Sequence, residues 1–186
     1  MDFVPADRPT MYFIGVTTAS SSVMKVFPEW AREMGRADVV LKGIDLPVHA
    51  DPRQYVEVVK FIKNDPLSLG ALVTTHKIDL YHAAHKLFDE LDMYATVFGE
   101  LSSISKKDGR LVGHAKDPIT CGMAIEEFLP RGYWEKEPGA DVLIMGAGGS
   151  AISMCSYFLR KDHGNNRPSR IFVANRSKPR LEEIEK

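Results

Sequence analysis

The sequence predicts an α/β protein: an N-terminal three-layer α/β domain with a mixed, mainly parallel sheet, followed by the first part of a second, doubly wound domain. Three observations carry this. Short apolar, β-rich runs alternate with segments of helical spacing through the first 130 residues. An Asp-Gly pair, Asp108-Gly109, separates two further β-rich runs, as in an antiparallel hairpin. Near residue 146 an apolar run leads straight into a glycine turn and a second helical pattern.

In chain order, Tyr12 to Thr17 reads as a strand. Val23 to Met34 reads as a helix, with Val23, Val26, Phe27, Trp30 and Met34 on one face and Gly35 beyond. Val39 to Leu46 is the next strand, closed by Pro47. Asp51-Pro52 is a strong helix opening, an N-cap acceptor with proline at the first helical position. Tyr55, Val58, Val59 and Ile62 then form its buried face. Leu69 to Thr75 is a third strand and Ile78 to about Leu91 a third helix. Ser102–Ser105 and Arg110–His114 are the hairpin strands, and a helix runs from Pro118 to about Leu129. Proline and glycine in 131–139 mark a connector, so 1–130 is one domain and 140–186 the start of another. In that second part Asp141–Met145 and Arg170–Ala174 are strands around a helix from Ala151 to Leu159. One β-α-β unit is fewer strands than a doubly wound domain needs, so the chain is expected to be part of a longer protein.

Composition narrows the function. The 186 residues carry 24 Lys plus Arg against 25 Asp plus Glu, a net charge of −1. That balance gives no basic field for nucleic acid or an anionic membrane surface, and leaves a small molecule as the expected partner. Two cysteines, Cys121 and Cys155, are too few for a disulfide framework and fit a reducing compartment. With Asp2, Asp7 and Arg8 at the start and no apolar run there, the expected location is cytoplasmic. His76, His82 and His85 lack the cysteine or carboxylate that would complete a zinc set, so no metal is expected.

Gly146-Ala147-Gly148-Gly149-Ser150-Ala151 fits G-x-G-x-x-A between a strand and a helix. Glycines there allow a tight turn and let backbone N–H groups approach a pyrophosphate at the helix N-terminus, the Rossmann arrangement. A tight turn without a ligand is the plain alternative. The second strand ends in Asn175-Arg176-Ser177, with Arg180 close behind, where an NAD site usually offers an acid. Arg176 and Arg180 suit a 2′-phosphate and favour NADP, unless they form only a solvated basic turn.

Ser20-Ser21-Ser22 after Ile14-Gly15, Val73-Thr74-Thr75-His76-Lys77, Leu111-Val112-Gly113-His114 leading to Asp117, the Gly146 turn and Asn175-Arg176-Ser177 occur in one order. That order resembles the shikimate dehydrogenases and their quinate-using relatives, enzymes of the route to aromatic amino acids. The resemblance covers essentially the whole chain. It implies an N-terminal substrate domain, a C-terminal Rossmann domain for NADP or NAD, and an NADP-dependent reduction of a keto group on a carboxylated, hydroxylated ring, such as 3-dehydroshikimate. It puts Lys77 and Asp117 in the catalytic positions, and Ser20, Ser22 and Thr74 around the substrate carboxylate; it leaves room for a homodimer. Carbonyl reduction does need a proton donor beside the developing alkoxide, and a lysine beside a carboxylate fills that role. Asp117 before Pro118 also suits an N-cap, and Ser20 and Ser22 suit capping of the first helix.

Departures from the family pattern cluster on the substrate side. Ser102 stands where an asparagine would hold substrate hydroxyls, and Ala115-Lys116-Asp117 replaces Asn-Thr-Asp. Thr75-His76-Lys77 lacks a proline and is one residue shorter. A dehydrogenase for another polyol or keto acid, or a non-catalytic nucleotide- or metabolite-binding paralogue, are the alternatives these changes raise.

Overall fold

The structure, a computed structural model, describes residues 3–185. The chain divides into two compact units, 1–115 and 116–186. Unit 1 is built on a six-stranded mixed sheet in the order β2-β1-β3-β5-β6-β4. Its strands are β1 (Thr10–Gly15), β2 (Val40–Asp45), β3 (Ser68–Val73), β4 (Glu90–Leu91), β5 (Ser103–Lys107) and β6 (Arg110–His114). β1 pairs in parallel with β2 and with β3, and Ile14 lies opposite both Ile44 and Val73. β3 and β5 are antiparallel, as are β5 and β6, joined by the expected Asp108-Gly109 turn. The sheet is thus parallel on one side and a hairpin on the other.

Helices α1 (Val23–Glu33), α2 (Pro52–Asn64), α3 (Lys77–Ala84) and α4 (Met93–Phe98) complete the unit. Ile14, Val58, Val59, Ile62, Ala71, Leu80, Ile104 and Leu111 form a core with no solvent exposure. α2 starts as its sequence dictates: the Asp51 side chain accepts from Arg53 N–H and Gln54 closes a capping box. Hydrogen bonds first from the Arg53 side chain and then from its backbone N–H pull the Asp51 carboxyl down to about 2. A depressed folded-state value stabilises above the unfolded value, near 3.8, and is lost as pH falls through about 2. Asp51→Ala should therefore lower the urea midpoint at neutral pH, and the gap to wild type should close below pH 2 in acid titrations followed by circular dichroism.

α1 departs from its pattern. The expected face is only half-buried at Val23, Val26 and Phe27, and Trp30 and Met34 are exposed, because the chain buries Ala31 instead. The helix expected from Ile78 to Leu91 also stops early. It ends at Ala84, continues as a 3-10 turn over His85–Leu87, and gives way to β4, which pairs in parallel with β6. Asp89 makes the switch: its backbone N–H donates to Leu111 O, and its carboxylate accepts from Leu111 N–H at 2.7 Å. α4 then begins under an Asp92 cap on Ala95 N–H and ends at Gly99 with φ +60, the left-handed geometry glycine supplies.

Unit 2 contains α5 (Asp117–Glu126), α6 (Tyr133–Lys136), β7 (Val142–Met145), α7 (Gly149–Phe158), β8 (Ile171–Ala174) and α8 (Lys178–Ile184). β7 and β8 pair in parallel, with Val142 opposite Ile171. Its core is Ile125, Trp134, Tyr157 and Phe158. Gly122 lets the Tyr157 ring rest on α5, since a Cβ there would lie 2.3 Å from Cδ2, and the Tyr157 hydroxyl donates to Glu126 at 2.7 Å. This packing places α5 with the second unit, ahead of the 131–139 connector at which composition set the boundary. Among the described residues no helix is long and apolar enough to cross a membrane.

Candidate functional site

The strand ends of unit 1 gather the residues singled out in its sequence. β1 and β3 run the same way, so Gly15 and Val73 end at one edge of the sheet, where open α/β sheets collect ligands. Thr74 N–H donates to Ile14 O at 3.0 Å. Val73 N–H donates to Ser102 O and Ser102 N–H to His114 O, both at 2.9 Å. Lys77, half-buried, opens α3, and its carbonyl accepts from Leu101 N–H at 3.0 Å. Backbone bonds thus tie Thr74, Lys77 and Ser102 to neighbouring segments at one edge.

A cavity of about 230 Å³ opens there, lined by Phe13, Val16, Thr17, Thr18, Ser20, Ser21, Thr74 and Thr75. Six of the eight lining side chains are hydroxyls, able to donate and accept but carrying no charge. Ser20 Oγ donates to Thr17 O at 2.9 Å. Ser22 is not in the lining; it sits at the α1 N-cap position and makes no side-chain capping bond among the described residues. Thr17 and Thr18 lie outside the sequence motifs, and Ser21 and Thr75 lie within them without an assigned role, although the run Thr17-Thr18-Ala19-Ser20-Ser21-Ser22 displays most of those hydroxyls. Thr18 is placed by Asp45, whose carboxylate accepts its N–H at 2.8 Å, and by Gly43. A Cβ at Gly43 would fall 2.0 Å from Thr18 Oγ1, so only glycine leaves room for that threonine.

The histidines near this edge are engaged in the protein. His76 is 1% exposed, with Nδ1 3.0 Å from the Tyr55 hydroxyl, so it is a core residue and not pocket lining. His85 Nδ1 meets Tyr81 O at 3.0 Å. His114 lies between Ser105 Oγ at 2.8 Å and the Asp92 carboxylate at 3.4 Å. The Ser102 hydroxyl, buried where the family pattern has an amide, lies 3.4 Å from His114 O.

In unit 2, Asp117 is not an N-cap. The helix starts one residue earlier than Pro118 implied: Lys116 holds the cap position and its carbonyl accepts from Thr120 N–H, which leaves Asp117 in the first turn. An acid there still faces the positive end of the helix dipole.

The glycine turn is tight and open on its outer side. Gly146 has φ +112, a geometry side-chain-bearing residues rarely adopt, and its N–H donates to Ala174 O at 2.7 Å. That bond sets the turn beside the end of β8, next to Asn175, Arg176 and Ser177. Gly148 precedes α7, and among the described residues beyond the chain neighbours no atom lies within 4 Å of where a Cβ on Gly146 or Gly148 would project. Gly149 and exposed Ser150 open α7, two residues before the expected start, while Ala147 and Ala151 are buried against the unit. Asn175 Nδ2 donates to Ser177 O at 3.3 Å, Arg176 is exposed and Arg180 half-buried. The ten-residue α7, reached through an open glycine turn, presents backbone N–H groups at a helix N-terminus, where anions are favoured.

No family model matches the chain. A curated shikimate dehydrogenase (NADP(+)) of Methanocaldococcus jannaschii is 31% identical over 134 residues, which is 70% of this chain and 42% of that protein. The chain therefore spans less than half the length of this relative. Among solved structures, a shikimate dehydrogenase crystallised with NADP+ superposes with a TM-score of 0.71 over 98% of this chain and 56% of its own, at 23% identity. The ligand-free 5-ketofructose reductase of a Gluconobacter species gives 0.66 over 96% and 58%, at 18% identity. The second and third of these likenesses speak to fold alone. Together with the sequence match they show an α/β unit followed by the beginning of a Rossmann domain, and over the matched residues the chain is a homologue of the shikimate dehydrogenases.

Proposed function

We propose that this chain supplies the substrate domain and the first nucleotide-binding β-α-β unit of an NADP-dependent, shikimate dehydrogenase-like oxidoreductase. The observation that carries the reading is the hydroxyl-lined cavity at the edge of β1 and β3, with Lys77 three residues beyond Thr74. Ser20 and Thr74 orient a carboxylated, polyhydroxylated ring by hydrogen bonds, with Ser22 as the second serine of the pair. NADPH, when bound, supplies the hydride that reduces the keto carbon. Lys77 Nζ gives its proton to the carbonyl oxygen as charge develops there, and Asp117 takes the second catalytic position of the family pattern. Lys77 then regains a proton from solvent, so one NADPH and one proton are consumed per keto group. In the reverse direction the neutral amine takes the hydroxyl proton.

The glycine turn from Gly146 to Ala151 cradles the pyrophosphate, and Asn175, Arg176, Ser177 and Arg180 bind the adenosine ribose and its 2′-phosphate. A charge-assisted hydrogen bond contributes about 1.5 to 3 kcal/mol. Arg176→Ala should therefore weaken NADP binding at least about tenfold and leave NAD binding nearly unchanged. Fluorescence titration with both cofactors checks this, and equal losses would remove Arg176 from the 2′-phosphate. The same reading includes a cytoplasmic enzyme and a homodimer, the latter to be checked by sedimentation.

A second substrate class within this chemistry is favoured by one observation. Ser102 lies by the His114 carbonyl where the family pattern has an amide for substrate hydroxyls. A different polyol or keto acid follows from that exchange, and the fold likeness to 5-ketofructose reductase is compatible with it. Comparing kcat/KM across carboxylated and neutral keto substrates separates the two classes.

A further inference from the structure

Just before Lys77 the backbone adopts a conformation that threonine rarely takes. Thr75 has φ +54, and the His76 N–H turns back onto the Thr74 carbonyl. Such a tight three-residue turn is strained for a β-branched residue. Strain of this kind persists only where its surroundings overdetermine it.

The backbone is secured on both sides: Thr74 N–H by Ile14 O, and His76 O by Leu80 N–H at 2.8 Å, the start of α3. The side-chain anchor is His76. Its ring is 1% exposed and meets Tyr55 on α2, also 1% exposed, through Nδ1 at 3.0 Å, with ring centroids 5.5 Å apart. The other ring nitrogen, Nε2, is buried with no hydrogen-bond partner among the described residues. A position that required only packing would be better served by an apolar ring, because an orphaned polar atom in the interior is destabilising. The unmet nitrogen marks the imidazole as kept for its bond to Tyr55.

The network continues outward. Burial, and then the Asp79 carboxylate, push the Tyr55 hydroxyl upward in pKa. Asp79, in the first turn of α3, meets His49 Nδ1 at 2.9 Å. His49 has φ +54 as well, so of the three non-glycine residues with positive φ among those described one ends this chain of polar groups and another, Thr75, adjoins its other end at His76. Lys77 is the first residue of the helix it braces.

We propose that Tyr55 and His76 are positioning residues, holding the strained β3–α3 turn so that Thr74 and Lys77 keep their places at the cavity edge. They act through the turn and touch no substrate. The inference rests on the role given to Lys77 above, but its test needs neither substrate nor cofactor, so the two can fail separately.

Competitive acylation of the lysines in the folded chain, read by peptide mass spectrometry, compares half-buried Lys77 with exposed Lys60. Tyr55→Phe and His76→Phe should each raise Lys77 labelling relative to Lys60 at least about threefold, because a released turn opens locally more often. Thr75→Gly, which relieves the positive-φ strain without touching the pair, should leave Lys77 labelling near wild type. His76→Asn, whose amide can stand in for Nδ1, should stay near wild type. Unchanged Lys77 labelling in a folded Tyr55→Phe protein overturns the proposal. A uniform rise at all lysines overturns it too, since that is general loosening. If His76→Phe fails to fold, Tyr55→Phe decides alone, as it removes a single oxygen.

Discussion

Replacing Lys77 by alanine is expected to lower kcat for carbonyl reduction by about 10² to 10⁴, the usual contribution of a positioned acid or base. NADPH affinity should be nearly intact, because the glycine turn and Arg176 belong to the other unit. Lys77 occupies the first helical position after β3, and its carbonyl is bonded to Leu101 N–H. Truncating its side chain therefore leaves the backbone arrangement in place. Steady-state kinetics with a cofactor titration separate the two effects. Asp117→Asn keeps the size of a first-turn residue and removes only its charge. A loss of kcat in that variant assigns the aspartate to proton handling, whereas full activity leaves it as a favourable charge on the α5 dipole. Turnover of Lys77→Ala within about threefold of wild type would sink the assignment of this lysine.

Gly70→Ala should be the most damaging single substitution to stability. Gly70 lies in β3 at an irregularity in the β1 pairing and faces β5 on its other side. Its φ is +124, and an added Cβ would lie 2.0 Å from Ile104 O and 2.8 Å from Ile104 C. Those are backbone atoms of the neighbouring strand, so no side-chain rotation can relieve the clash. β3 joins the parallel half of the sheet to the hairpin half, and the strands would have to part to accept a methyl group. A loss of about 3 to 5 kcal/mol is expected, at the upper end for one methyl group. Urea unfolding measures it directly. A loss under about 1 kcal/mol would mean that the strands can shift cheaply, against the close packing expected of an interior.

Much of this architecture is legible in the residues, where local chemistry and tertiary packing agree. Asp51-Pro52 opens α2 as its capping groups require, Asp108-Gly109 turns the hairpin, and the apolar run at 142–145 forms the strand before the glycine turn. Lys77, Thr74 and Ser102 come to one edge of the sheet, as strand-end positions in a β-α alternation imply. The misses come from contacts far apart in sequence. Leu87, Phe88 and Leu91 carry helical spacing, but Asp89 finds Leu111 and turns that stretch into a two-residue strand. Trp30 and Met34 share a helical face that the fold leaves exposed. Composition marks 131–139 as a linker, yet Gly122 and Tyr157 bind α5 to the second unit. No local signal announces that His76 is buried against Tyr55, or that Thr75 carries a positive φ. Both depend on where α2 lies in space.

As proposed above, this chain belongs to a working NADP-dependent dehydrogenase. Its most direct test is NADPH oxidation by the protein that carries the chain, across a panel of keto substrates that includes 3-dehydroshikimate and neutral ketoses. Turnover of at least one polyhydroxylated keto substrate is expected, faster with NADPH than with NADH and lost in Lys77→Ala. Tight NADPH binding with no oxidation across the panel would contradict it and identify a nucleotide-binding paralogue without catalysis.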